Sequence, residues 1–405
     1  MALRFLATRP HPALLQLPWD TPLEQWDDSY DVPLARGISR HVVRFVRVES
    51  QVYAIKETRP AMAEREYRML RDLVRLGLPV VEPVGIVSGR ESPDGEAIEP
   101  VLITRHLPHS LPYRALFSHR LQDDTLERVV DALVVLLVRL HLDGFFWGDC
   151  SLSNTLFRRA AGEFSAYLVD AETSELHNQI SDGQRSHDLE LLRVNVYGEL
   201  LDLQAGGLLD DQLDPVDLIE RIEDRYAKLW RALTGIEEFG TDEMWRIEQR
   251  IDELNDLGFD IDELDIVTDW DGATVRIQPK VVESGHHARR LQGLTGLDVE
   301  ESQARRLLND LDAYSAAHGL QADDPMVVAH RWLTEVYEPF QAMVPDKLRG
   351  VLEPAELLHD VLVHRWYLSE AAGKEVDFFE SARSYIEDIL PDRAATVRAA
   401  ESSTA

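Results

Sequence analysis

Five side chains stand where a phosphoryl group can be held and moved. Lys56 closes the run YAIK, Glu66 follows ten residues later in EREYRML, and Asp170 ends YLVD. Between them, Asp149 and Asn154 are five positions apart in WGDCSLSNTLF. Phosphoryl transfer asks for positioning and charge stabilisation more than for covalent catalysis. A lysine binds phosphate oxygens, a neighbouring acid holds that lysine, and carboxylate or carboxamide oxygens suit Mg²⁺. A carboxylate beside the acceptor hydroxyl orients or takes its proton. In this reading Lys56 meets the nucleotide phosphates and Glu66 holds it, with Glu64 as a competitor. Asp149 faces the acceptor, while Asn154 and Asp170 offer oxygens to the metal. Each residue alone has a plainer explanation: a solvated lysine, exposed helix acids, a turn cap, an Asx turn. Their order along suitable elements carries the reading.

Those elements are legible as periodicities. HVVRFVRVE and QVYAIKE alternate as paired antiparallel strands around a Glu49-Ser50 turn. AMAEREYRMLRDLVRLG has helical spacing, with Met62, Tyr67, Leu70, Leu73 and Val74 on one face and Gly77 as its stop. VVEPVGIVSG and PVLITRHL read as two further strands. A helix is expected from Asp124 to Leu142, ending at Asp143-Gly144, before the loop that holds Asp149. TLFRRAAGEFSAYLVD reads as a hairpin turning at Ala161-Gly162, and SHDLELLRVNVYGELLDLQ as a helix. The first 30 or so residues, broken by prolines, read as an extended lead-in with little regular structure.

Past about residue 213 the style changes. DPVDLIERIEDRYAKLWRAL sets Leu218, Ile222, Tyr226, Leu229 and Trp230 on one helical face, and TDEMWRIEQRIDELNDLG repeats that pattern. DIVTDWDGATVRI signals a hairpin at Asp271-Gly272. Three more helices follow, in VEESQARRLLNDLDAYSAAHG, PMVVAHRWLTEVYEPFQAMV and LEPAELLHDVLVHRWYLSEAAG, then a small polar tail. Trp332, Tyr337, Trp366 and Tyr367 are aromatic anchors at helical spacing. No fixed-period repeat is visible.

The ordered set YAIK, EYRML, GDCSLSN and LVDAE resembles the protein-kinase-like superfamily, whose catalytic loop spaces aspartate and asparagine as Asp149 and Asn154 are spaced. Trp147 and Gly148 replace that loop's usual histidine and arginine, and Asp170-Ala171-Glu172 stands where Asp-Phe-Gly is usual. The chain is therefore more similar to the small-molecule and lipopolysaccharide-core (Kdo) kinase branches than to regulated protein kinases. The resemblance implies an α+β, two-lobed kinase-like fold, an antiparallel-sheet lobe followed by a helical one, then a mainly helical C-terminal domain with a β-hairpin. It also implies ATP and Mg²⁺ as cofactors and places Gly37 of RGISRHVVRF in the nucleotide-covering loop. Asp188 falls where an aspartate braces the catalytic loop, or else caps a helix. Glu172 is either an extra metal ligand or an exposed charge. The expected organisation is an extension over 1–30, lobes over 31–108 and 109–212, the helical domain over 213–390, and a tail over 391–405. That last domain resembles the uncharacterised one accompanying such kinases in actinobacterial proteins, and offers a surface for a protein partner.

Whole-chain properties narrow the classes. The chain has 405 residues, 44% hydrophobic and 28% charged, which suits a soluble globular protein of more than one domain. A formal net charge of -31 argues against nucleic acid and against an anionic membrane surface as partners. Cys150, the one cysteine, allows no intramolecular disulfide and reads as a small filler of its loop. The longest apolar stretch is interrupted by Arg139 and too short to span a bilayer. A cytoplasmic protein without stable membrane insertion is expected. His286-His287 lacks zinc-site spacing and reads as a turn or helix start. Two functions follow: an ATP- and Mg²⁺-dependent phosphotransferase acting on an unidentified hydroxyl-bearing substrate, or a catalytically inactive kinase-like nucleotide-binding scaffold.

Overall fold

The structure, a computed structural model, describes residues 3–8, 11–32, 34, 41–117, 123–209, 213–235, 237–240, 259–268, 274–372, 374 and 376–395. They form two compact units. The first runs to Arg158 and resumes over Ala166–Tyr226; the second holds Arg159–Ser165 and Ala227–Ala400. Gly37, the 241–258 helical reading, the Asp271-Gly272 turn and the terminal tail beyond 395 lie outside the described residues.

The first unit opens on a five-stranded antiparallel sheet. Its strands are β1 (Arg4–Ala7), β2 (Val43–Val48), β3 (Gln51–Glu57), β4 (Pro83–Ser88) and, after the short pair β5 (Arg90–Glu91) and β6 (Ala97–Ile98), β7 (Val101–Arg105). The spatial order is β1-β4-β7-β3-β2, and Lys56 is flanked by Val43 on one side and Leu102 on the other. The β2–β3 turn sets Glu49 at φ 55°, in the left-handed region that a tight hairpin needs. Helix α1 (Pro60–Arg75) starts with proline at its first position, where a missing N–H costs nothing, and packs on β4. Its buried stripe is Ala63, Glu66, Tyr67, Leu70 and Leu73. Val74, expected on that stripe, is 43% exposed in the last turn, and the carboxylate of Glu66 faces inward instead.

The lead-in is more structured than its prolines suggest. β1 edges the sheet, and Leu14, Trp19, Leu23 and Trp26 join its core beside Val46, Tyr53 and Ile55. Two arginines fix this segment. Buried Arg90 donates to the carbonyls of Trp19, Thr21 and Glu99 and to Glu57. Arg44 of β2 donates to the carbonyls of Leu23, Glu24 and Trp26 and to Asp28 and Asp31. Burial of tryptophan rings and saturated guanidinium forks override the absence of a local periodic pattern.

Helices then dominate: α2 (Tyr113–Phe117) after β8 (Ser110–Pro112), α3 (Asp123–Leu142), α4 (Asp182–Ala205) and α5 (Pro215–Thr234). α3 ends where Gly144 takes φ 78°; a Cβ there would sit 2.1 Å from the His177 carbonyl oxygen, so only glycine fits. Between α3 and α4 run β9 (Phe145–Phe146), β10 (Thr155–Ala160), β11 (Glu163–Leu168) and β12 (Glu175–Leu176). β10 and β11 form the expected hairpin, turning through Ala161 at φ 53° and Gly162 at φ 84°. A capping box of Ser181 and Gln184 starts α4.

The second unit pairs β13 (Glu237–Gly240), β14 (Phe259–Thr268) and β15 (Thr274–Ser284) antiparallel in the order β13-β15-β14. Among the described residues, six α-helices follow: α6 (His286–Thr295), α7 (Glu301–Ala317), α8 (Pro325–Trp332), α9 (Glu338–Met343), α10 (Pro354–Ala372) and α11 (Phe378–Ser384). Their core centres on Leu307, Trp332, Phe340, Leu358 and Tyr385. His286-His287 begins α6, whose first amides are capped by Glu301. Trp332 and Tyr337 are core, whereas Trp366 and Tyr367 are 57% and 60% exposed. Among the described residues, no helix is long and apolar enough to cross a membrane.

Candidate active site

Lys56 reaches the site from β3, where alternation turns its side chain away from the face that buries Tyr53 and Ile55. Its Nζ lies 3.0 Å and 2.8 Å from the two carboxylate oxygens of Glu66 and 2.7 Å from Oδ2 of Asp170. Glu64 is not the partner: it is exposed and pairs with Arg68 one turn along α1. Glu172 stands 3.5 Å from Lys56 and 3.0 Å from His41 Nε2. Asp170, Glu172 and Glu66 bring a carboxylate oxygen each within 4.8 Å of the others, a donor set suited to a hard cation.

Three acids around one lysine leave excess negative charge, and the protons reflect it. Burial disfavours the Lys56 ammonium, but the Glu66 and Asp170 carboxylates outweigh that and hold its pKa above the ordinary value. Burial, then the charge of Asp170, pushes the Glu66 carboxyl up to about 8, against the pull of Lys56.

The Trp147–Phe157 loop is held from both ends. Trp147 is fully buried, and Gly148 takes φ 74° with a would-be Cβ only 3.1 Å from the Thr173 carbonyl oxygen. The main-chain N–H groups of Trp147 and Gly148 donate to the two oxygens of buried Asp188, at 2.7 and 2.8 Å. His141 joins that carboxylate through Nε2 at 3.2 Å and meets the Tyr226 hydroxyl through Nδ1 at 2.7 Å. Burial lowers the pKa of His141, which suits a neutral ring with the Tyr226 hydroxyl donating to Nδ1. Asp188 therefore braces the loop and lies inside α4, not at its N-cap.

Asp149 and Asn154 face each other: Asn154 Nδ2 donates to the carbonyl and to Oδ2 of Asp149, at 3.1 Å each. With its nitrogen so engaged, the Asn154 carboxamide presents Oδ1 for another role. The other carboxylate oxygen of Asp149 accepts from Asn195 Nδ2 at 3.1 Å. One turn further along α4, Glu199 accepts the N–H groups of Leu152 and Ser153, both at 2.8 Å. The 188, 195, 199 stripe thus supports the loop along its length. Asn195 and Glu199 carry no local sequence signal; their helical spacing from Asp188 is the one cue available. Cys150 is fully buried and its thiol is pushed well up by burial, which leaves it a filler.

One cavity of about 940 Å³ joins these groups, within the usual size for a small-molecule site. Lys56, Glu66, Asp149, Asn154, Asp170 and Glu172 line it, with apolar walls from Val43, Ala54, Val81, Leu102 and Leu156. At its rim, His106 is held neutral, its pKa pushed down to about 4 by burial and then by the charge of His109.

Residues 40–205 match the lipopolysaccharide kinase (Kdo/WaaP) family. The match spans β2 to β7, the residues that line the cavity and α4, and the architecture there is α+β, an antiparallel sheet followed by helices. Residues 228–390 match a domain of unknown function, DUF4032, which falls within the second unit. No curated protein matches the chain. A solved structure titled WaaP in complex with acyl carrier protein is similar at 14% identity and a TM-score of 0.37, over 64% of this chain and 99% of that one.

Proposed function

We propose that the chain is an ATP- and Mg²⁺-dependent phosphotransferase that moves the γ-phosphate to an acceptor hydroxyl. The observation that carries this is the single cavity onto which Lys56, Glu66, Asp149, Asn154 and Asp170 converge. The apolar walls suit a flat base, and Lys56, fixed by Glu66, suits phosphate oxygens. Asn154 and Asp170, with Glu172 adjacent, would hold Mg²⁺, which when bound neutralises charge on the transferring phosphate. Asp149 orients the acceptor hydroxyl and takes its proton, its carboxylate fixed by the amides of Asn154 and Asn195. The brace from Asp188 keeps that carboxylate in register with the metal residues. Purified protein should turn over Mg²⁺-ATP, and Asp149→Ala should lose transfer; equal turnover in both overturns the proposal.

A second reading, a nucleotide-binding scaffold without catalysis, rests on the grip of Asp170 and Glu172 on Lys56. Nucleotide phosphates must displace those carboxylates to reach the ammonium. A thermal shift from Mg²⁺-ATP without any turnover would favour that reading.

A further inference from the structure

We propose that the acceptor wall of the cleft takes an alcohol borne on an apolar molecule with a protonated amine, and that Gly198 keeps the room for it. This rests on the phosphotransfer reading above and names the hydroxyl compounds that such a site selects.

The wall is one face of α4. Val194, Gly198 and Asp202 stand at i, i+4 and i+8 along the cavity, next to Asn195 and Glu199 of the loop support. Val194 is 68% exposed, and Tyr197 and Leu201 on the flank are 40% and 41% exposed. Val194 is thus left uncovered in the cavity that Asp149 lines. Gly198 lies in the helix interior, where glycine is among the weakest formers. Among the described residues, no close neighbour calls for it there. A Cβ built on it meets no atom within 4 Å, and its φ is not in the left-handed region. The space left by the missing side chain opens into the cavity.

Charge selects the occupant. The carboxylates of Asp149, Glu199 and Asp202 face this side, and among the described residues no lysine or arginine lines it. The cations of the cavity, Lys56 and Arg105, stand on β3 and β7 across from α4, and Arg105 is paired with Glu82. A phosphorylated or carboxylated acceptor would approach against like charge, whereas an ammonium group beside the reacting hydroxyl meets its complement. Aliphatic or aromatic carbon on the same molecule would cover Val194 and fill the hollow at Gly198.

The test supplies Mg²⁺-ATP with three acceptor sets: apolar amino alcohols (leucinol, phenylalaninol), a neutral polyol (sorbitol), and anionic sugars (glucose phosphate, gluconate). Transfer to the amino alcohols should exceed transfer to the anionic sugars by about tenfold or more. Gly198→Leu should lower amino-alcohol turnover by about tenfold while the thermal shift given by Mg²⁺-ATP persists. Gly198→Ala should raise Tm and still lower acceptor turnover, a combination that a purely structural glycine would not give. Preference for anionic sugars, equal use of all sets, use of none, or unchanged turnover in Gly198→Leu overturns the proposal. A wild type that neither binds nor hydrolyses Mg²⁺-ATP instead overturns the phosphotransfer reading. In that case leucinol must still shift Tm more than glucose phosphate does, and Gly198→Leu must abolish the difference.

Discussion

The amide of Asn195 and the carboxylate of Asp149 meet across 46 positions of sequence, Nδ2 lying 3.1 Å from Oδ1 and 3.0 Å from the Cys150 carbonyl oxygen. Asn154 grips the other oxygen. Both amides must present nitrogen here, because every partner is an acceptor. Asn195→Ala removes one of the two fixings without emptying a core position. It should lower kcat by on the order of 10- to 100-fold with the nucleotide KM unchanged. In an Asp149→Ala background the same substitution should cost nothing further, since its route to the chemistry is gone. Additive losses in steady-state kinetics would refute the positioning role.

Lys56→Ala should abolish the thermal shift given by Mg²⁺-ATP and lower transfer by about 10²- to 10³-fold, as loss of one preorganised charge donor does. The substitution also leaves the Asp170 and Glu172 carboxylates side by side without the ammonium between them, so the empty protein should melt earlier. Calorimetry on the two proteins with and without nucleotide separates these effects. A Lys56→Ala protein that keeps both shift and transfer would remove the lysine from the phosphate site.

What the sequence made legible is what is local. YAIK, GDCSLSN and LVDAE each join a chemical group to a strand end or a turn, so period and punctuation place Lys56, Asn154 and Asp170 together. Glu66 and Glu64 both fit the reading, and burial on α1 was needed to choose between them. Asn195 and Glu199 carry no local signal in the sequence, because their partners lie more than 40 residues away. The segment from His11 to Tyr30 was hidden for the opposite reason. Prolines erase its periodicity, and its order comes from Arg44 and Arg90 on distant strands.

Glu66 makes stability depend on pH. Its carboxyl, pushed up to about 8 in the fold, has an ordinary value of 4.5 when exposed. Between those values the folded chain holds a proton that the unfolded chain has released, so stability falls as pH rises through that window. Below about 4.5 both states hold the proton and this contribution is fully present. Glu66→Gln should flatten the slope of Tm against pH from 5 to 8 relative to the parent. An unchanged slope would show that another group titrates there.

Asp188→Asn keeps shape and volume but replaces one accepting oxygen with an N–H donor. Asp188 accepts from Trp147 N–H, Gly148 N–H and His141 Nε2 in a fully buried setting. The substitution must therefore set a donor against a donor at one of these contacts, a loss of about 1–3 kcal/mol. Tm should fall, and kcat with it, as the loop behind Asp149 loosens. Asn195→Ala acts on the same loop from an open part of the cavity wall and should lower kcat while leaving Tm nearly unchanged. The pair of variants separates a brace that holds the loop's backbone from a group that aims one carboxylate. Matching Tm losses in both would show that Asn195 works through the backbone as well.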